Sequence, residues 1–269
     1  MNSLRIGWFS TGRGPGSRAL LRTVGEAIAG GLPVEIAYVF CNRAPGEDDN
    51  TDEFFGLVHS LNLPLVTLSS AGFRRQAGGK VVRKGDPLPR WRLDFDGRVL
   101  QLVEPFATDL GLLAGYMLIF GPAACERLLL LNLHPAVPGG PIGIWQDIVR
   151  QLIEARADRS GISIFRAVPE VDTGPSVSYC TYSLRGEGID GLWERSSTLP
   201  REQLWSPAAE EMPLFQEIRR RGATREPPLI VETLRALAEG HADPSGENPP
   251  LDLTAHVEGA LEGQLRPEE

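Results

Sequence analysis

Through its first two thirds the chain alternates short apolar runs with amphipathic stretches, and this alternation narrows the folds open to it more than any other feature. "RIGWFS" (5–10), "VEIAYVFC" (34–41) and "LPLVTL" (63–68) read as strands, as do "LGLLAGYM" (110–117) and "LLLLNLH" (128–134). Helical stretches at about 17–28, from 52 to before Pro64, at 122–127 and around 145–157 separate them, and "SGISIFRAV" and "SVSYCTYSL" close the series. Strands alternating with crossover helices predict an α/β fold: a Rossmann-like, mostly parallel sheet flanked by helices.

The composition excludes several function classes. A formal net charge of −8 argues against a nucleic-acid binder driven by overall charge. Cys41, Cys125 and Cys180 are widely spaced, with no Cys-x-x-Cys, which predicts neither a disulfide framework nor a metal site. The opening "MNSLRIGWFS" lacks the regions of a signal peptide, and the most apolar segment, 110–125, is broken by Gly111, Gly115, Gly121 and Pro122. The expectation is a cytoplasmic protein without a membrane span.

Two segments depart from the pattern. Between Gly72 and Arg92 stand seven bases (Arg74, Arg75, Lys80, Arg83, Lys84, Arg90 and Arg92) against one acid, Asp86. It reads as a solvated loop or hairpin, or as a flap that attracts an anion. The other is the C-terminal extension, 186–269, set against a main domain of 1–185. It reads as two helices broken at Glu226-Pro227-Pro228, then a linker-like stretch from Gly240 and an acidic tail, a flexible or docked appendage.

"STGRGPGSRALL" (10–21) lies between the first strand and the first helix, where backbone amides and a helix N-terminus favour anions. A dinucleotide fingerprint starting at Gly12 fails, because Ser17 stands where glycine or alanine is needed, and no P-loop Lys follows. Two readings stay open. One is a tight turn capped by Ser17; the other is a phosphate cradle of Gly14, Gly16 and Ser17, with Arg13 and Arg18 for charge.

"LLNLHPAVPGG" (130–140) ends an apolar strand with two polar residues at alternate positions, so Asn132 and His134 share one face. "FRAVPEVDTGPSV" (165–177) ends another strand at Asp172. If the two ends meet, Asp172 orients His134 and favours its charged form, while the Asn132 amide donates to an oxyanion. Without an activated Ser or Cys, the trio suits direct transfer of an acyl group between two bound molecules. A packed histidine and an ordinary Asp-x-Gly turn account for the same letters. His59, His241 and His256 have no comparable setting and read as structural.

These stretches together resemble folate-dependent formyltransferases, of which glycinamide ribonucleotide (phosphoribosylglycinamide) formyltransferase is the nearest in pattern. "NLHPAVPGG" is similar to the family's Asn-x-His-Pro motif and "VPEVDTGP" to its Asp-x-Gly-Pro loop. "DLGLLAGYM" resembles the strand leading to its folate pocket, and "STGRGPGSRALL" falls where it has a phosphate loop. The resemblance covers about residues 4–185. It implies catalysis by Asn132, His134 and Asp172 with 10-formyltetrahydrofolate as co-substrate and no metal. It further implies a folate pocket lined by Tyr116, Met117, Leu118, Ile119, Phe120, Val168, Glu170 and Val171, with Arg92 near the folate tail. Gly14, Gly16, Ser17, Arg18 and Arg13 would take the phosphate of a small phosphorylated amine, in a chain that could form a homodimer.

Departures cluster on the acceptor side. Arg18 replaces a usual asparagine, "AVPGGPIGIWQDI" replaces a longer segment, and Phe165 stands in place of a histidine. An amino sugar nucleotide as acceptor, hydrolysis of 10-formyltetrahydrofolate, and folate binding without turnover therefore stay open beside glycinamide ribonucleotide.

Overall fold

The computed structural model describes residues 3–82, 86–170, 172–196 and 199–265. In chain order the elements are β1 (Leu4–Ser10), α1 (Pro15–Ala29), β2 (Val34–Cys41), α2 (Asp49–Ser60), β3 (Leu65–Thr67), α3 (Ser70–Gln76) and α4 (Arg90–Val103). Then come β4 (Leu110–Leu113), α5 (Pro122–Arg127), β5 (Leu130–His134), α6 (Trp145–Glu154), β6 (Arg159–Arg166) and β7 (Ser176–Ser183). The chain continues through α7 (Asp190–Arg195), α8 (Arg201–Leu204), a 3-10 turn (Pro207–Glu211), α9 (Pro213–Ala223), α10 (Glu226–Ala238), β8 (Leu251–Asp252) and α11 (Thr254–Leu265).

The strands form one eight-stranded sheet in the order β3-β2-β1-β4-β5-β6-β7-β8. The neighbours from β3 to β5 are parallel, β6 is antiparallel to both β5 and β7, and β8 is parallel to β7. This is the expected α/β architecture with a mostly parallel sheet. Because β1, β4 and β5 are parallel neighbours, their carboxyl ends open on one edge, the usual place for a ligand in such sheets.

Alternation divides the apolar residues between two faces. Ile6, Trp8, Leu112, Leu131, Ile162 and Ile164 belong to one core, packed with Leu21 of α1, Phe54 of α2, Ile148 of α6, Phe215 of α9 and Leu229 of α10. Phe9, Tyr38, Phe40, Leu113 and Leu130 belong to the other, under Phe95, Val99 and Val103 of α4 and Cys125 of α5. All three cysteines are buried and free, and no described helix is long and apolar enough to cross a membrane.

Two expectations need correction. The basic stretch 72–92 is not a simple loop, since α3 ends inside it and α4 begins inside it. Ser69 caps α3 by accepting from the Gly72 N–H at 2.8 Å. In α4, Phe95, Val99 and Val103 repeat every four residues and are all buried, a helical period that the density of charge obscures. Arg83 and Lys84 lie outside the described residues.

The strand expected over 110–117 stops at Leu113. Gly115 takes φ +73, its carbonyl accepts from the Thr11 N–H at 3.0 Å, and a Cβ there would stand 3.0 Å from Ser17 Oγ. The chain turns at that glycine, so residues 116–121 form a loop against the end of β1.

Of the two readings of the tail after Gly240, the structure has the docked one. Leu251 and Asp252 pair with Ser178 and Tyr179 of β7, and Val257 of α11 is fully buried. The extension 186–269 packs onto 1–185. Trp193, Phe215, Leu229 and Val257 share one apolar cluster with Trp8 and Leu131, so α10 acts as a covering helix of the main sheet. The expected break before Pro227 is present, with both prolines in the first turn of α10, where a missing N–H leaves no bond unmade.

Candidate active site at the carboxyl edge of the sheet

The register from β1 to β6 aligns Phe9 with Leu113, Leu113 with Asn132 and Asn132 with Phe165. Asn132 therefore points from the same face as the aromatic core, and His134 stands two residues further along that face. His134 is buried while Asn132 is half-buried. Among the described residues no hydrogen bond engages the Asn132 amide, which leaves its N–H donors for a ligand.

Three neighbours fix the His134 ring. Its Nε2 lies 3.0 Å from the carbonyl oxygen of Pro141, and its Nδ1 faces Asp172 Oδ1 at 3.9 Å. Phe165 meets it edge to face, with centroids 5.7 Å apart. The 3.9 Å separation is a charge contact rather than a hydrogen bond; such contacts commonly tighten when ligand binds. The carbonyl acceptor at Nε2 places a proton on that nitrogen. Asp172 is held from behind, with its Oδ2 accepting from the Gly143 N–H at 3.2 Å. The residue sits at φ 56, a left-handed conformation that aspartate tolerates better than most.

Sequence reasoning brought Asn132, His134 and Asp172 to one edge, and the structure has them there. It did not find Pro141 or Gly143, because both act through backbone atoms and leave no signature in residue type.

The glycine-rich turn ends β1 beside this trio. Pro15 occupies the first turn of α1, Gly14 is the N-cap residue, and no side chain caps the helix. A Cβ at Gly14 or Gly16 would meet nothing within 4 Å. Among the described residues no hydrogen bond engages the Gly16 or Ser17 N–H, and the partial positive charge of a 15-residue helix lies behind them. Ser17 does not cap the helix; its hydroxyl lies toward Gly115. Arg13 is exposed. Arg18, by contrast, is spent on α2: it donates to Asn50 O at 3.1 Å and pairs with Glu53 at 2.8 Å. A role for it at the phosphate would need both of these contacts to open.

The loop after β4 separates the residues expected to line a folate pocket. Met117 and Ile119 are exposed, at 50% and 43%, whereas Tyr116 and Phe120 are buried and stack at 5.1 Å. Leu118 and Val168 are half-buried and Glu170 is exposed. Tyr116 and Phe120 therefore form the floor of the loop and not its ligand face. Val171 lies outside the described residues. Arg92 is 2% exposed and donates to the Ile119 carbonyl at 2.6 Å. It supports the loop from beneath and cannot meet a folate tail, which corrects that expectation. Among the described residues no group of three or more His, Cys, Asp and Glu side chains is placed to hold a metal ion.

The sequence profile of the family described as Formyl transferase matches residues 17–181. The chain belongs to the formyl transferase family of enzymes. That formyl transferase match includes Ser17, the 116–121 loop, Asn132, His134 and Asp172. Over 162 residues the chain is 26% identical to the phosphoribosylglycinamide formyltransferase of Haemophilus influenzae, which covers 58% of this chain and 64% of that protein. It thus spans less than two thirds of that relative's length.

Among solved structures it resembles the phosphoribosylglycinamide formyltransferase of Coxiella burnetii in complex with CHES, with a TM-score of 0.64 and 18% identity over 93% of this chain and 99% of that one. Glycinamide ribonucleotide transformylase 1 from Symbiobacterium toebii gives a TM-score of 0.59 and 19% identity over 89% of each chain. A formyltetrahydrofolate deformylase from Pseudomonas syringae gives 0.59 and 17%, covering 88% of this chain and 62% of that one. At these identities the structural likeness speaks for the formyltransferase fold alone.

Proposed function

We propose that this protein transfers the formyl group of 10-formyltetrahydrofolate to the amine of a phosphorylated acceptor, with glycinamide ribonucleotide the first to test. One observation carries the reading: an open helix N-terminus and the Asn132–His134–Asp172 trio share the same sheet edge, two strands apart. With neighbouring strands about 4.8 Å apart, a molecule joining them has its anion and its reacting amine separated by about 10 Å. A phosphorylated ribosyl amine has that reach.

The chemistry follows from the donors present. The acceptor amine attacks the formyl carbon, and the carbonyl oxygen becomes an oxyanion. The Asn132 amide donates to it, and a protonated His134 ring adds charge stabilisation, with Asp172 supporting that ring. The new carbon–nitrogen bond stays with the acceptor. The bond to folate N10 breaks, and tetrahydrofolate leaves carrying a proton lost by the amine, relayed through His134 or water. The exposed apolar side chains of Met117 and Ile119 suit the flat pterin ring.

The deciding assay follows tetrahydrofolate release from 10-formyltetrahydrofolate, first with glycinamide ribonucleotide and then with water alone. Release that requires glycinamide ribonucleotide is the expected result. Equal release without it makes the protein a hydrolase, and no release with any phosphorylated amine overturns the proposal.

A further inference from the structure

The 116–121 segment is irregular, with two large apolar side chains turned to solvent, so its own backbone does not explain how it keeps its shape. Two charged residues one turn apart on α4 do. Arg92 Nη2 donates to Ile119 O at 2.6 Å and lies 3.2 Å from Asp96 Oδ1. Asp96 Oδ2 accepts from the Gly121 N–H at 2.8 Å. The backbone is thus gripped on both sides of Phe120, which inserts between the two contacts and stacks on Tyr116. Rings of Trp91 and Phe95 flank the guanidinium at 5.6 and 5.2 Å. The two charged side chains are only 3% and 4% exposed.

As a stabilising device the pair is a poor choice. Arg92 Nη1 and Tyr116 Oη are buried without a hydrogen bond, and Asp96 Oδ1 has only its ion-pair contact with Arg92. Burial pushes the Asp96 carboxyl above its ordinary range, outweighing the attraction of Arg92. A carboxyl raised by folding adds stability only at low pH and loses it as pH rises, so at neutral pH the charged Asp96 opposes folding. Well-packed apolar residues of similar volume would hold α4 at least as firmly. They could not, however, bond the carbonyl of Ile119 and the amide of Gly121 together.

We propose that Arg92 and Asp96 are positioning residues that set the register of the 116–121 loop, so that Met117 and Ile119 present a fixed apolar wall to the folate co-substrate. The inference rests on the proposed function for the ligand's identity, but not for the clamp itself.

The test compares the full-length wild type with Arg92→Met/Asp96→Leu and with Arg92→Lys. Three quantities are read: melting temperature, the separate KM values for 10-formyltetrahydrofolate and acceptor, and amide exchange across the loop. The double variant should melt at or above the wild-type temperature while its folate KM rises about tenfold and the acceptor KM changes by less than about twofold. Gly121 and its neighbours should exchange at least about tenfold faster, with β1 and β4 unchanged. Arg92→Lys keeps a cation and a donor, so it should recover part of the lost folate affinity. Should the double variant fail to fold, Arg92→Met alone, which removes the donor to Ile119 O while Asp96 can take up a proton, goes through the same measurements.

Unchanged loop exchange overturns the clamp. Faster exchange with an unchanged folate KM, or with both KM values raised alike, overturns its role toward folate. A wild type that does not use 10-formyltetrahydrofolate at all defeats the proposed function instead, and loop exchange then judges the clamp separately.

Discussion

His134 and Asp172 face each other at the sheet edge with Nδ1 and Oδ1 3.9 Å apart, and backbone atoms of a single loop hold each from its far side. Pro141 O accepts from His134 Nε2, and the Gly143 N–H donates to Asp172 Oδ2. Residues 141–143 therefore set the distance between the two functional groups.

Asp172→Asn is a clean probe of that relationship. Asparagine accepts the left-handed conformation and keeps an oxygen for Gly143, so stability should stay within about 1 kcal/mol of wild type. The negative charge facing His134 disappears. Transfer should fall about 10²–10⁴-fold, the range for losing proton-transfer catalysis. Thermal melting beside single-turnover kinetics checks both halves, and near-wild-type turnover would remove Asp172 from the mechanism.

Gly174 controls the same aspartate by close approach. A Cβ at this position would stand 1.7 Å from the carbonyl oxygen of Arg166, a backbone atom that no rotamer change can move away. Gly174→Ala must open the β6–β7 connection, at about 1–3 kcal/mol. For a chain of this size that lowers the melting temperature by about 2–12 °C, and transfer should drop because Asp172 moves with the connection. Circular dichroism melts with activity on the same samples give the answer; an unchanged melt would mean that the connection has slack the geometry does not reveal.

How much of this was legible beforehand depended on whether a residue acts through its side chain. Asn132, His134 and Asp172 stood out because their chemistry is in their type and because alternation puts Asn132 and His134 on one face. The sheet was legible from its alternating runs. Arg92 misled, since an arginine in a basic stretch suggests an exposed cation, whereas the buried Phe95–Val99–Val103 stripe beside it carries α4 into the core. Arg18 misled likewise, because only the fold brings Asn50 and Glu53 to it. Which reading of the tail holds, flexible or docked, was not legible for another reason. Two residues of β8 and one helix bury little by themselves, and their partners on β7 and α10 lie far back in the sequence.

Glu217 gives the C-terminal part a pH signature. Hydrogen bonds from Arg220, reinforced by Arg221, pull its carboxyl down to about 2, and Arg221 in turn donates to Ser183 O at 3.0 Å, tying α9 to the end of β7. A depressed carboxyl stabilises the fold above the unfolded value of about 4.3 and loses that contribution as pH falls toward the folded one. Urea midpoints should therefore decline between about pH 4.5 and 2, and the decline should be shallower in Glu217→Gln. Identical profiles would show that the Arg220–Glu217–Arg221 group is too solvated to matter.

The two arginines of the glycine-rich turn make opposite predictions although they lie five residues apart in sequence. Arg13 is exposed, with the open amides of α1 next to it, so Arg13→Ala should raise the KM for a phosphorylated acceptor about 5–10-fold. That corresponds to losing about 1 kcal/mol of charge attraction, and added salt should shrink the difference. Arg18 is occupied by Asn50 and Glu53. Its replacement by alanine should lower stability by about 0–1 kcal/mol and leave the acceptor KM within about twofold. Steady-state kinetics at low and high ionic strength separates the two. If Arg18→Ala raises the acceptor KM more than Arg13→Ala does, α2 must release Arg18 when the acceptor binds, and the assignment of the two arginines is reversed.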